Sequence, residues 1–230
     1  MEIIRYAELK AHPWRNGGGV TREVARHPRA SSAQTAAQEN AWDWRVSIAE
    51  VSKAGPFSAF AGMDRVLTVI DGELLLLNVD GAEHPLEKYR PFRFSGDAAS
   101  AGALPTGDIR DLNVITRNGA FKGYTSIIEL SKKRAHPVFE GQFGILLQGQ
   151  GTVSPGTAGR PAPAADTGTE PVPTAPIPTA PTGAVAAEPE RVELNRYDAV
   201  VGADTATPEI LGRGFLAVVS IDPAAEAGSD

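Results

Sequence analysis

Apolar and polar residues alternate at every second position over many short stretches of this chain. Each stretch is closed by a glycine or proline turn, and no long amphipathic helical pattern intervenes. A period of two puts successive side chains on opposite faces of an extended strand. In Trp44-Arg45-Val46-Ser47-Ile48-Ala49-Glu50-Val51, residues Trp44, Val46 and Ile48 share one face, and Arg45, Ser47 and Ala49 the other. Arg65–Ile70 and Glu73–Val79 flank Asp71-Gly72, the dipeptide of a tight hairpin, and Asp80-Gly81 marks the next turn. Further strands are predicted over Pro91–Phe94, Asp111–Arg117, Tyr124–Leu130, Gly144–Leu147, Gly151–Val153, Arg191–Val201 and Phe215–Ile221. Such spacing predicts an all-β sandwich or barrel.

Composition narrows the function classes. The chain has no cysteine, so disulfide scaffolds, thiolate metal sites and cysteine nucleophiles are excluded. A net charge of -6 speaks against a nucleic-acid partner. No apolar run approaches the roughly 18 residues of a spanning helix, so no membrane partner is expected. The segment Met1-Glu2-Ile3-Ile4-Arg5 lacks the pattern of a secretion signal, which makes a cytoplasmic location the expectation. Nine of the 18 prolines fall between Pro155 and Pro189. That stretch has too little apolar surface to offset the entropy of ordering it, and a disordered insert is predicted over about 155–190. Residues 27–41 read as a loop, and the tail after Asp222 as frayed.

The two halves echo each other. Leu67-Thr68-Val69-Ile70-Asp71-Gly72-Glu73-Leu74 resembles Gly144-Ile145-Leu146-Leu147-Gln148-Gly149-Gln150-Gly151-Thr152-Val153, each an apolar strand, a glycine turn and a returning strand. Two jelly-roll β-barrels of the RmlC-like cupin type in one chain, a bicupin, would produce this pattern. The first barrel is expected over 1–125 and the second over 126–222, the latter interrupted by the insert. A metal-binding barrel needs paired histidines on one strand. His12, His27, His84 and His136 are all far apart, so no metal ligand set is expected. In Gly102–Arg110, which loosely resembles the second cupin motif, Arg110 stands where a histidine ligand would be. Arginine cannot coordinate a metal but binds carboxylates, so the reading calls for a small anionic ligand and no cofactor.

Two polar segments could supply the donors. Trp14-Arg15-Asn16-Gly17-Gly18-Gly19-Val20-Thr21-Arg22-Glu23 could form a backbone nest for an anion, or a glycine-rich turn into an edge strand with Trp14 packed in the core. On Asp111–Arg117, residues Asp111, Asn113, Ile115 and Arg117 share a face that is either solvated or turned inward around a ligand. Arg45 and Ser47 are similarly placed. Arg65 reads either as an edge ion pair with its neighbours or as a clamp.

Trp14–Glu23, Asp43–Val51, Gly55–Arg65 and Arg110–Arg117 resemble, in order, four sequence blocks of the HutD/Ves family. The resemblance covers about residues 1–154, with a weaker continuation over 191–222. It implies a cupin-like fold and a link to histidine utilisation through a small carboxylate such as N-formylglutamate. The expected protein is a non-catalytic binding or regulatory protein whose ligand, an acyl amino acid or similar, is held by Trp14, Asn16, Arg45, Ser47, Arg65, Asp111, Asn113 and Arg117. No residue is assigned a catalytic role in that reading, and pairing into a homodimer is compatible with it. The alternative is a metal-independent cupin enzyme of isomerase or epimerase type, with His12 as base and Glu23, Glu50 or Asp111 as the carboxylate. A third reading makes the insert a polyproline II segment that recruits a partner.

Overall fold

The computed structural model describes residues 1–28, 42–156 and 190–224. The strands run, in chain order, β1 (Glu2–Ile4), β2 (Ala11–Pro13), β3 (Gly19–Pro28), β4 (Trp42–Val51), β5 (Gly55–Pro56), β6 (Met63–Asp71), β7 (Leu74–Val79), β8 (Ala82–Glu87) and β9 (Phe92–Ser95). They continue with β10 (Ser100–Ala103), β11 (Ile109–Arg117), β12 (Phe121–Leu130), β13 (His136–Pro137), β14 (Gln142–Pro155), β15 (Val192–Leu194), β16 (Ala199–Val201) and β17 (Pro208–Pro223). One 3-10 turn, Tyr6–Glu8, is the only helix among the described residues. None of the helices there is long and apolar enough to cross a membrane. The all-β expectation therefore holds. Nearly all of the proline-rich insert, and most of the 27–41 loop, lie outside the described residues.

The strands do not close into two barrels, as the sequence pattern had predicted. They form three open sheets: β5-β10-β7-β8, β2-β3-β4-β11-β6-β9, and β1-β16-β14-β17-β12 with β13 on β17 and β15 on β14. The six-stranded sheet is the middle layer. One of its faces, carrying Ala49, Val51, Leu67, Val69 and Ile109, packs on Leu75, Leu77 and Leu86 of the four-stranded sheet. Its other face, carrying Val46, Ile48, Val66, Leu112 and Val114, packs on Phe143, Ile145, Ala217 and Val219 of the seven-stranded sheet. Burial of one such Leu or Val side chain contributes about 1.5–3 kcal/mol, so both interfaces are substantial. A third cluster, including Leu146, Val153, Ile210 and Leu216, lies on the far face of the seven-stranded sheet.

Three local expectations change. Asp71-Gly72 does not close a hairpin: β6 and β7 belong to different sheets. Gly72 (φ +80°) turns a corner so tight that a Cβ would stand 2.7 Å from the Asp108 carbonyl oxygen. Asp80-Gly81, with φ values of 48° and 88°, closes the hairpin between β7 and β8, as a turn needing two positive φ angles should. Gly144–Leu147 and Gly151–Val153 are one strand, with a register shift between Leu146 and Gln148 and with Gly149 at φ +94°, where a Cβ would meet Arg213 O at 2.0 Å. Arg191–Val201 in turn splits into β15 and β16 around Tyr197, buried at φ 70°.

Candidate functional site

Strands β4, β11 and β6 lie side by side, and their register fixes what meets inside the first sandwich. Ser47, Asn113 and Leu67 share one cross-strand row, Arg45, Ile115 and Arg65 the next, and Ala49, Asp111 and Val69 a third. Because Ala49, Leu67 and Val69 face the four-stranded sheet, strict alternation turns Arg45, Ser47, Arg65, Asp111 and Asn113 the same way. Five of the eight expected ligand-binding residues are thus brought to one interior face. Arg65, Ser47, Asp111 and Asn113 are buried, and Arg45 is half-buried.

The cluster is wired through an amide. One Arg65 NH2 donates to Asn113 Oδ1 at 2.8 Å, and Asn113 Nδ2 donates to Asp111 Oδ1. Arg65 also donates to the Ser58 carbonyl at 3.3 Å. Aromatic faces close the box. The Arg65 guanidinium lies 4.9 Å from the Phe94 ring centroid and 5.3 Å from Phe60, and the Arg45 guanidinium 5.1 Å from Trp42. Arg45 Nε, Arg65 Nε and Asp111 Oδ2 are buried without a hydrogen-bond partner. Buried polar atoms ordinarily find one, so three such atoms in one cluster leave hydrogen-bonding capacity unused there.

Electrostatics follow the burial. Asp111 is pushed up to about 7 by burial, with the attraction of Arg65 only partly opposing. Arg65 is brought down to about 10, first by burial and further by Arg45, against the pull of Asp111. Burial also lowers Arg45, against the favourable charge of Glu23. The interior therefore holds two arginines against a single carboxyl that is reluctant to ionise.

A family model for HutD matches residues 6–169. The chain belongs to the HutD family. Protein Ves of Citrobacter koseri is 34% identical over 149 residues, which is 64% of this chain and 72% of that protein. An uncharacterised 21.2 kDa protein in the hutC 3' region of Pseudomonas putida is 36% identical over 116 residues, 50% of this chain and 57% of its own length. Among solved structures, HutD from Pseudomonas fluorescens SBW25, determined in a formate condition, superposes with a TM-score of 0.66 at 24% identity, covering 97% of this chain and 99% of that one. A cupin 2 conserved barrel domain protein from Leptotrichia buccalis gives 0.50 at 7%, covering 96% and 95%. These likenesses establish a cupin-like fold.

The remaining three expected residues of this HutD-family chain lie behind the box. Trp14 donates from Nε1 to Thr21 Oγ1 at 2.8 Å and stands edge-on to Phe57 at 5.9 Å; Phe57 in turn lies 5.9 Å from the Arg65 guanidinium. Asn16 accepts the Gly18 N–H at 3.0 Å and so shapes the triple-glycine turn. Gly19 is required there, because a Cβ would be 2.5 Å from Glu50 O and 3.1 Å from the Trp14 ring. Arg117 grips Asp43 at 2.7 Å and the Trp42 carbonyl at 2.8 Å, which anchors the tryptophan under Arg45.

Arg110 does bind carboxylates, but they belong to the protein. It reaches Asp71 at 3.2 Å and Glu50 at 3.3 Å on the opposite face of the middle sheet. His12 is exposed on the edge strand β2. The aromatic walls Trp42, Phe57, Phe60 and Phe94 were not among the expected residues, although Phe57 and Phe60 stand in the Gly55–Arg65 block. Two open grooves of about 570 and 450 Å³ lie apart from the cluster, around Arg191–Arg196 and Glu50–Arg110.

Proposed function

We propose that the protein binds a small carboxylate between its first two sheets, without turning it over, in association with histidine utilisation. The observation that carries the reading is the pair of interior arginines with unpartnered Nε groups, opposed by one carboxyl that burial drives toward neutrality. A carboxylate would accept from both guanidinium edges, the geometry in which arginine binds such groups best. The aromatic faces already covering the guanidinium planes leave only those edges for a ligand. The hutC 3' position of the Pseudomonas putida relative favours the association with histidine utilisation. An acyl amino acid such as N-formylglutamate adds an amide that Asn113 and Ser47 can address. In this reading the three sheets are an opened form of two jelly-roll units, and the ligand belongs to the first.

The test is calorimetry with N-formyl-L-glutamate, formate and glutamate on the folded full chain. Saturable binding of the formyl compound in the micromolar range is expected, with no product by chromatography. No heat with any of the three defeats the reading. The enzymatic alternative retains one favourable observation, a buried carboxyl near neutrality, which is what a general acid or base needs; product formation from any acyl amino acid decides for it.

A further inference from the structure

The interior cluster separates its charges in an unusual way. Arg65 and Asp111 do not touch: Asn113 stands between them, giving its oxygen to the arginine and its amide to the carboxylate. Asp111 Oδ2 has no partner at all. The groups packed around Asp111 are easily named. Its neighbours in the sheet are Ala49 and Val69. The facing sheet offers Leu75, Leu77 and Leu86. The cationic groups on its face are Arg65 from β6 and Arg45 from β4, and Glu23 and Arg26 of β3 act on Arg45. The one charge that favours an ionised Asp111 is therefore Arg65, felt through an intervening amide.

We infer that the protein takes up its carboxylate ligand together with a proton, which settles on Asp111. This rests on the carboxylate-binding reading above and adds its proton balance. An incoming anion on Arg65 supplies that guanidinium with a nearer counter-charge, and Asp111 then faces a neutralised pair. A carboxylate stripped of both water and its countercharge protonates rather than remaining buried and unpaired. Oδ1 already accepts from Asn113, so the proton goes to the vacant Oδ2. The balance holds for the carboxylate that reaches Arg65: that one negative charge and one proton enter together, and any second carboxylate of the ligand is left to donors other than this pair. Near-neutral titration of the free Asp111 is consistent with this, because the proton is then available from solvent at ordinary pH. Linkage gives the sign. The ligand favours the protonated form, so affinity is greatest in acid and weakens once pH exceeds the point where free Asp111 ionises.

The probe is N-formyl-L-glutamate, whose own carboxyls are mostly ionised at pH 5 and fully ionised from about pH 6 upward. Full-chain protein is titrated by calorimetry between pH 5 and 8.5 in two buffers of unlike protonation heat. Wild type is expected to absorb close to one proton per ligand at the alkaline end and almost none at pH 5, with affinity falling up to about tenfold per pH unit above neutrality. Asp111→Asn keeps the amide contact in a neutral side chain; it should bind with no proton uptake and an affinity that is flat with pH. Wild-type binding without buffer-dependent heat overturns the inference while leaving carboxylate binding intact, and it needs no variant to fold. The same uptake in Asp111→Asn also overturns it. Absence of binding in both proteins at every pH instead defeats the carboxylate reading, and the inference falls with it.

Discussion

The middle sheet carries two arginine–carboxylate clusters, one on each face, and they are built on opposite principles. Between the six- and seven-stranded sheets, Glu50 accepts from Arg22, from Tyr6 at 3.2 Å and from Arg110 at 3.3 Å. Asp71 holds Arg110 at 3.2 Å, Arg196 at 3.0 Å and the Tyr197 hydroxyl at 3.3 Å. There each carboxylate has direct cationic partners and about a third of its side-chain surface in water. Burial alone would raise both carboxyls, but the arginines outweigh it and hold Glu50 and Asp71 below the usual carboxylate range. In the interior cluster Arg65 and Asp111 are buried and kept apart by Asn113, and each is shifted toward its neutral form. Matched charges near solvent tie two layers together. Unmatched charges in a buried interior weaken the fold, and in the proposed function a carboxylate ligand answers them.

The largest effect that can break this contrast is loss of the interior guanidinium. Arg65→Met keeps the apolar stem and removes the charge. Removing one partner of a buried, hydrogen-bonded charge pair costs roughly 2–5 kcal/mol, so N-formylglutamate affinity should fall by at least about thirtyfold by calorimetry. Arg110→Met, on the other face, should leave the dissociation constant within about twofold. An equal loss in both variants would erase the distinction between the faces.

The pH dependence of stability sharpens it next. Asp111 has its folded-state value raised, so the folded protein binds its proton more tightly than the unfolded chain does. That contribution is fully present below the unfolded carboxylate range, is lost progressively as pH climbs to about 7, and is flat above. The slope is at most about 1.4 kcal/mol per pH unit, roughly 2–4 °C of Tm per kcal/mol in a chain of this size. Asp111→Asn should flatten the Tm profile between pH 5 and 7 and exceed wild type at pH 8. The rim carboxylates have the opposite sign. Their depressed values give stability above the unfolded range, lost only as pH falls into acid. Asp71→Asn should therefore lower Tm at pH 7 by an amount equivalent to about 0.5–1 kcal/mol, and less in high salt, because partly exposed ion pairs contribute little and are screened.

These two faces also explain what could be read from the chain alone. The strands β4 and β11 were legible because their alternation is strict. Which face of Asp111–Arg117 was wet was not legible: Leu112 and Val114 on one side and Asp111 and Asn113 on the other are all buried. Both faces of β11 are covered by a neighbouring sheet, so the polarity of one side is not a sign of solvent. Arg65 looked like an edge residue beside Asp64, yet Asp64 pairs with Arg93 at 3.8 Å and Arg65 turns inward. The aromatic walls went unnoticed because Trp42, Phe60 and Phe94 come from three separated segments, and only the fold brings Trp42 and Phe60 to the Arg45 guanidinium and Phe60 and Phe94 to that of Arg65. The two Asp-Gly turns carry the same local signal. What makes one a corner between sheets is the close approach of Asp108 to Gly72, a tertiary contact with no sequence mark.

The smallest expected effect concerns His12, which sequence reasoning offered as a base. It is exposed, its strand runs along the sheet edge opposite Thr21, and the carboxyl near neutrality belongs to Asp111 in the interior. A surface substitution of this kind changes stability by no more than about 0.5 kcal/mol. His12→Ala should leave both Tm and the ligand dissociation constant unchanged within error, measured beside Arg65→Met under the same conditions. A loss of binding on the scale of the arginine variant would move the site from the space between the first two sheets to the outer edge of the middle one, and the contrast between its two faces would no longer describe where the ligand goes.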